Sequence, residues 1–253
     1  MKFSILLLLT APVLIRGQNS GKAEAPIDIT GYWVSIVTED WRFRMVTPAK
    51  GDYASVPINA EARKAADSWD PAKDEAAGEQ CKSYGAAAIM RVPGRLHITW
   101  DNDNTLKIET DAGTQTRLFH FDGLPPQGGE PQLQGYSVAK WEGSGVARAP
   151  AAAAAGAAEP PALQERQNRG GSLKVVTTRM RPGYLRKNGV PYSSNAVLTE
   201  YYSRTLESNG DSWLIVTTIV DDPRYLNVPF ITSTHFRKQA DASGWNPTQC
   251  TSR

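Results

Sequence analysis

The sequence predicts an all-β protein, mainly antiparallel, built as a single closed or nearly closed β-barrel with one short helical segment. Three observations lead there. Short alternating segments with turn residues between them fill the middle of the chain, and the same alternation resumes after an alanine-rich interruption. The length of 253 residues is ordinary for one large β domain. Hydrophobic residues make up 40% and charged residues 21%, enough apolar material for a core and too little charge for a disordered chain.

The central segments are Ala86 to Val92, Arg95 to Asp101, Asn104 to Asp111 and Thr114 to Phe121. Pro93-Gly94, the Asn102-Asp103 region and Ala112-Gly113 separate them, which is the spacing of a β-meander. Upstream, Gly31 to Val37 reads as a first strand. Trp41 to Thr47 reads as a second, with Arg42 and Arg44 on one face and Trp41, Phe43 and Met45 on the other. A helical stretch follows: Asn59 can cap Ala60 to Trp69, and Pro71 can restart a turn toward Cys81. It is expected to be a lid on a barrel end or a plain surface helix.

Downstream, Leu124 to Gln132 is rich in Pro and Gly and reads as loop, and Gln134 to Glu142 as strand. Residues 144–170 form a low-complexity run of alanines and prolines followed by polar residues, expected to be a disordered insertion between paired strands. Further strands are expected over Ser172 to Met180, Ala196 to Leu206, Asp211 to Asp221 and Pro229 to Lys238. Asn209-Gly210 is the strongest hairpin signal in the chain. The total is about eleven strands, and a barrel of that size would leave a lumen wider than side chains easily fill.

Met1-Lys2, an apolar run from Phe3 to Ile15 and then Arg16-Gly17 have the layout of a secretory signal peptide, so 1–17 is expected to be removed. A buried N-terminal strand is the alternative. The run is too short for a comfortable membrane span. Residues 18–26 read as a flexible lead-in to a single domain over 27–253. Export places Cys81 and Cys250, the only two cysteines, in an oxidising compartment where a disulfide between them can persist. The expected location is periplasmic or secreted.

A formal net charge of +2 gives no global electrostatic case for nucleic acid. The densest basic stretch runs from Arg179 to Lys187. It reads as a solvated loop or as an anion site at a pocket mouth. His97, His120 and His235 fall in separate predicted strands without the spacing of a metal site, so no metal or other cofactor is expected. No G-x-S-x-G, P-loop or dinucleotide fingerprint occurs.

Gly31-Tyr32-Trp33 resembles the Gly-x-Trp start of lipocalin-like barrels, in which the tryptophan closes one barrel end. The order of elements from Glu79-Gln80-Cys81 through Gln134 to Gly143 and on to Pro247-Thr248-Gln249-Cys250 is similar to a group of secreted bacterial proteins of unassigned activity. That resemblance implies export, a β-rich domain and paired cysteines, and carries over no catalytic residues.

Together these readings favour an exported lipocalin-like barrel that binds a small, partly apolar molecule in its lumen, without a membrane span in the mature chain. Its expected liners are Tyr32, Trp41, Trp100, Tyr201, Tyr202 and Phe236, with Arg179 for a charged group. The alternative is a cofactor-free isomerase, cyclase or hydrolase using His97 or His235 as base with Glu200 or Asp221. A structural envelope protein is the third reading. A dry, filled lumen would sink the first two, and continuous lipid-facing apolar bands would favour a membrane β-barrel.

Overall fold

Nine strands close into a barrel in the computed structural model of the chain, which describes residues 20–126, 128–143 and 170–252. The expected signal segment and nearly all of the expected insertion lie outside the described residues. The strands are β1 Gly31–Ile36, β2 Arg95–Asn102, β3 Thr105–Thr110, β4 Gln115–His120, β5 Tyr136–Gly143, β6 Gly171–Thr178, β9 Val197–Leu206, β10 Ser212–Asp221 and β11 Phe230–Lys238. They follow one another around the ring, and β11 pairs back onto β1. Between β6 and β9 the chain leaves the wall to make a separate hairpin, β7 Gly183–Arg186 with β8 Val190–Tyr192.

Nine is an odd number, and that dictates one departure from antiparallel order. Sequential strands that alternate in direction close a ring only in even numbers, so one neighbouring pair must run the same way. That pair is β4–β5, with Phe119 opposite Ser137 and His120 opposite Val138. Lipocalins close with eight strands and escape this demand. Here the Pro- and Gly-rich connection over 121–135 has to return along the barrel before β5 begins. It is fastened by Gln132, whose N–H donates to the Arg179 carbonyl at 3.1 Å. The Arg179 guanidinium in turn donates to the carbonyls of Pro126, at 2.8 Å, Gly128 and Gly129. Gly135 turns the chain into β5 at φ +61°, and a Cβ there would lie 2.5 Å from the Thr178 carbonyl, so only glycine fits.

Period-two alternation sends Trp33, Leu96, Ile98, Leu106, Ile108, Phe119, Leu173, Val175, Tyr202, Leu214, Val216 and Phe236 inward, where they form one buried cluster. Within it lies a buried ion pair. Arg117 on β4 donates through Nη1 and Nη2 to the two oxygens of Glu200 on β9, at 2.9 and 2.6 Å. The Tyr202 hydroxyl donates to the same carboxylate at 3.2 Å, and Nη2 also reaches Thr177 Oγ1 at 3.3 Å. Burial alone would lower the Arg117 pKa, but the Glu200 charge and the Tyr202 hydroxyl outweigh it and raise the pKa, keeping the guanidinium charged. Phe119 and Tyr202 meet edge to face at 5.5 Å. Two strands separate β4 from β9 in the ring, so these contacts cross the lumen and fill it.

The two barrel ends differ. At the end where β1 starts, Trp33 is fully buried, its indole donating to the Ile29 carbonyl at 2.9 Å. Residues 20–26, expected to be flexible, are tied down there: Gly21 N–H donates to Asn104 Oδ1 at 2.8 Å, and the Trp141 indole donates to the Gly21 carbonyl at 2.6 Å. The opposite end carries a cap made of α1 Trp41–Arg44, α2 Ala60–Asp67, α3 Pro71–Ala76, α4 Ala86–Ile89 and the β7–β8 hairpin. A second apolar cluster, including Tyr53, Ala66, Ala87, Leu185, Val190 and Tyr192, joins the cap to β9–β11 through Leu198, Val220 and Phe230.

Asn59 caps α2 as predicted, accepting from Ala62 N–H at 3.0 Å, and Pro71 opens α3. Two expected strands are helices instead. Trp41 to Thr47 has no vacant strand edge to join, because β1 is already paired on both sides, and Asp40 turns the chain at φ 50° into the single turn of α1. Ala86 to Val92 begins with three alanines of high helix propensity and is enclosed on all sides, so it winds into α4. The Asp211 to Asp221 strand, expected to be covered on both faces, is β10, with alternate residues buried and half-buried. The wall therefore has nine strands, fewer than the sequence predicts, and correspondingly a narrower lumen.

Cys81 and Cys250 form the expected disulfide, spanning 169 positions. It holds the C-terminal tail on the cap, where Thr248 N–H donates to the Asp111 carbonyl at 2.8 Å. Loop closure over that distance is worth at most about 5 kcal/mol. Replacing Cys250 by serine is expected to lower the urea midpoint and to speed hydrogen exchange at Thr248, while the amide of Val216 keeps its protection relative to global unfolding. A second expectation concerns the lumen. Arg117→Met leaves Glu200 buried alone and should cost about 3–5 kcal/mol, whereas Arg117→Met with Glu200→Leu should recover most of that loss in denaturant titration.

Candidate functional site

The cap and the barrel rim enclose a cleft of about 410 Å³ between α1, α4, β7 and the C-terminal tail, within the range of small-molecule sites. Phe43, Met45, Val46, Ala88, Val92 and Leu185 make its apolar surface, and Arg44, Arg91, Arg186 and Lys187 its cationic one. A larger cleft of about 520 Å³ beside α2 and α3 is bordered by the exposed Lys50 and Lys73 and has no buried cation.

Three connections bring the arginines together. The Asp40 main-chain carbonyl accepts from the N–H groups of Phe43 and Arg44 at 2.8 and 3.1 Å, which forms α1 and turns both side chains toward the cap. Trp41 is left 66% exposed at its outer edge. Every nitrogen of the Arg44 guanidinium has a partner: Nε donates to the Arg91 carbonyl at 2.9 Å, Nη1 to Glu39, and Nη2 to Ser35 Oγ at 3.3 Å. Burial lowers its pKa, opposed by Glu39 and assisted by the charge of Arg91.

Arg91, just beyond α4, is 6% exposed and donates through Nη2 to Asp40 Oδ2 at 2.9 Å. Its Nη1 is buried without a hydrogen-bond partner among the described residues. Arg186, at the end of β7, is 4% exposed and donates through Nη1 to the Ala54 carbonyl at 2.6 Å. Its guanidinium carbon lies 4.2 Å from the centre of the Phe43 ring, a cation–π contact. Burial pushes the Arg186 pKa down to about 10, with the Arg91 charge adding to the effect. Both Nε and Nη2 of Arg186 are buried without partners. A buried donor without any partner costs on the order of 1–3 kcal/mol, so these three donors favour a hydrogen-bonding group placed beside them.

The facing wall is the tail. Thr114 Oγ1 donates to the Thr248 carbonyl at 2.9 Å, and the Cys81–Cys250 bridge follows two residues on. Lys187 Nζ donates to the Tyr84 hydroxyl at 2.8 Å. Burial would raise the Tyr84 pKa, but hydrogen bonds from Lys187 and Thr251 with the lysine charge bring it below the usual tyrosine value.

The sequence-predicted liners are dispersed. Tyr202 and Phe236 are buried in the lumen, and Trp100 packs 5.4 Å from Phe121 on its inner side. Tyr32 and Tyr201 face outward, Tyr32 stacked on His97 at 4.1 Å and Tyr201 under Lys174 at 5.3 Å. Trp41 stands on α1, and Arg179 clamps the crossover connection. None of the seven lines the cleft. Among the acid-base candidates, His97 pairs with Glu109 at 3.2 Å, and His235 lies 3.5 Å from Glu39 and 3.0 Å from Thr38 Oγ1, both on the outer wall. Glu200 is inside with Arg117, and Asp221 is exposed at the end of β10.

The basic stretch from Arg179 to Lys187 did carry a signal, since its last two residues line the cleft. Phe43, Arg44 and Arg91 gave none, because their role depends on which connections meet at one barrel end. Among the described residues no three His, Cys, Asp or Glu side chains converge as a metal site requires, and no helix is long and apolar enough to cross a membrane. No known protein family, curated protein or solved structure matches the chain.

Proposed function

We propose that this is an exported binding protein that holds a small amphipathic molecule in the cleft at its capped end. The observation that carries the reading is an apolar cleft backed by buried arginines with unused donors, outside a lumen that side chains already fill. A site with apolar walls and a few fixed polar groups is the usual form of a small-molecule pocket. Export is supported by the apolar run from Phe3 to Ile15 after Lys2 and by a disulfide suited to an oxidising compartment.

An enzyme draws less support. His97 and His235 are separated by the barrel wall from Glu200, and Asp221 lies at a strand end six positions from the residue paired with His235. Asp222, its neighbour, serves the turn by accepting from the N–H and hydroxyl of Ser193 at 2.6 and 2.8 Å.

Mass spectrometry of small molecules extracted from the purified protein tests the binding reading. Ala112 lines the cleft on the β3–β4 turn, and Ala112→Trp should fill part of it. The wild type is expected to retain an amphipathic molecule, and the variant at least about tenfold less of it with an unchanged melting temperature. Equal retention by the two would remove the cleft as the site. A protein that retains nothing and binds no added amphiphile would favour the structural envelope reading.

A further inference from the structure

Arg186 differs from every other buried arginine in what it leaves unmade. Single orphaned Nε atoms occur on Arg95, Arg117 and Arg181, but Arg186 lacks partners at both Nε and Nη2 among the described residues. Those two N–H groups lie parallel along one edge of the guanidinium plane. That edge is the fork that pairs with two oxygens of a carboxylate or phosphate at once. Arg91 lines the same cleft and adds a third orphaned donor, Nη1.

We propose that the Nε–Nη2 edge of Arg186, with Nη1 of Arg91, is a binding site for an oxyanion headgroup, a carboxylate or a phosphate monoester, covered by Phe43. The inference rests on the cleft reading above and names the ligand's polar end. Arg44 takes no part in this fork, because each of its guanidinium nitrogens already has a partner, in the Arg91 carbonyl, Glu39 and Ser35. The nearby acids are already engaged elsewhere: Asp40 with Arg91 Nη2, Asp52 with Arg42, and Glu39 with Arg44. The desolvated state of Arg186, with a second guanidinium close by, fits a site that waits for negative charge.

Phe43 supplies the cover. Its ring lies on the Arg186 guanidinium, and the orphaned atoms beneath are closed off from solvent. The ring belongs to a single helical turn that starts at the left-handed Asp40 and leads into Met45 and Val46, which are exposed where they line the cleft. Entry of the headgroup requires that turn to shift, and the apolar part of the ligand then lies along Met45, Val92 and Leu185.

Isothermal titration of the full chain with decanoate, decyl phosphate, decanol, decyltrimethylammonium and inorganic phosphate tests the proposal. Decanoate and decyl phosphate are expected to bind about ten- to a hundredfold tighter than decanol, with the cation weakest. Arg186→Lys keeps the charge and loses the fork, so it should erase most of the acids' advantage and leave decanol unchanged. Decanol equal to decanoate in the wild type, or an undiminished advantage in Arg186→Lys, overturns the oxyanion site. If the ten-carbon ligands still bind and Ala112→Trp abolishes that binding, the cleft reading survives the loss. Inorganic phosphate that binds through Arg186 while no ten-carbon compound does supports the oxyanion site and removes the amphipathic ligand. Silence from every probe, phosphate included, overturns the site. Should Arg186→Lys fail to fold, the wild-type comparison of decanoate with decanol still decides.

Discussion

The buried pair of Arg117 and Glu200 sets the terms for everything else in this protein. Two charges removed from water are tolerable only when each satisfies the other. The pair therefore holds β4 opposite β9 and admits no ligand between them without breaking two charge-assisted hydrogen bonds. Tyr202, Thr177 and Phe119 complete the packing around it. With the middle of the barrel committed to its own side chains, the proposed ligand site lies outside the lumen. The connections at the capped end supply the place.

Three long connections gather chain outside the wall, and barrel parity accounts for one of them. An odd ring needs one parallel step, and the crossover this imposes is held by Arg179 rather than by regular pairing. On the far side of the ring, β6 reaches β9 only after the β7–β8 hairpin, and β1 reaches β2 only after four short helices. Those two excursions deliver Arg186 from one side and Arg44 and Arg91 from the other. The disulfide then fixes the tail as the remaining wall of the cleft.

Much of the wall was legible because period-two alternation is a local property of sequence. β2, β3, β4 and β9 to β11 fall where that pattern places them, and Asn209-Gly210 joins β9 to β10 as the turn chemistry predicts. Asn59 and Pro71 were legible for the same reason, since a helix cap is written within three residues. Alternation misled at Trp41 to Thr47 because the sequence does not reveal that β1 already has both neighbours. At Ala86 to Val92 the run of alanines should have outweighed the expectation of a fourth meander strand. The cleft was legible only in the basic stretch ending at Lys187. Its other members come from separate connections, and their proximity follows from ring closure, which no short pattern encodes. Of the aromatic residues expected as liners, Trp41 falls on α1 of the cap, and the other five are barrel residues that fill the lumen or cover the outer wall.

Ligand is expected to bind at the capped end while the lumen stays closed. Amide and indole NMR of the isotope-labelled chain, titrated with decanoate, reads both places at once. Shifts at Met45, Arg186 and Ala112 with an unmoved Trp33 indole and Val175 amide are the result expected. Shifts at Trp33 and Val175 with a silent cleft would contradict it.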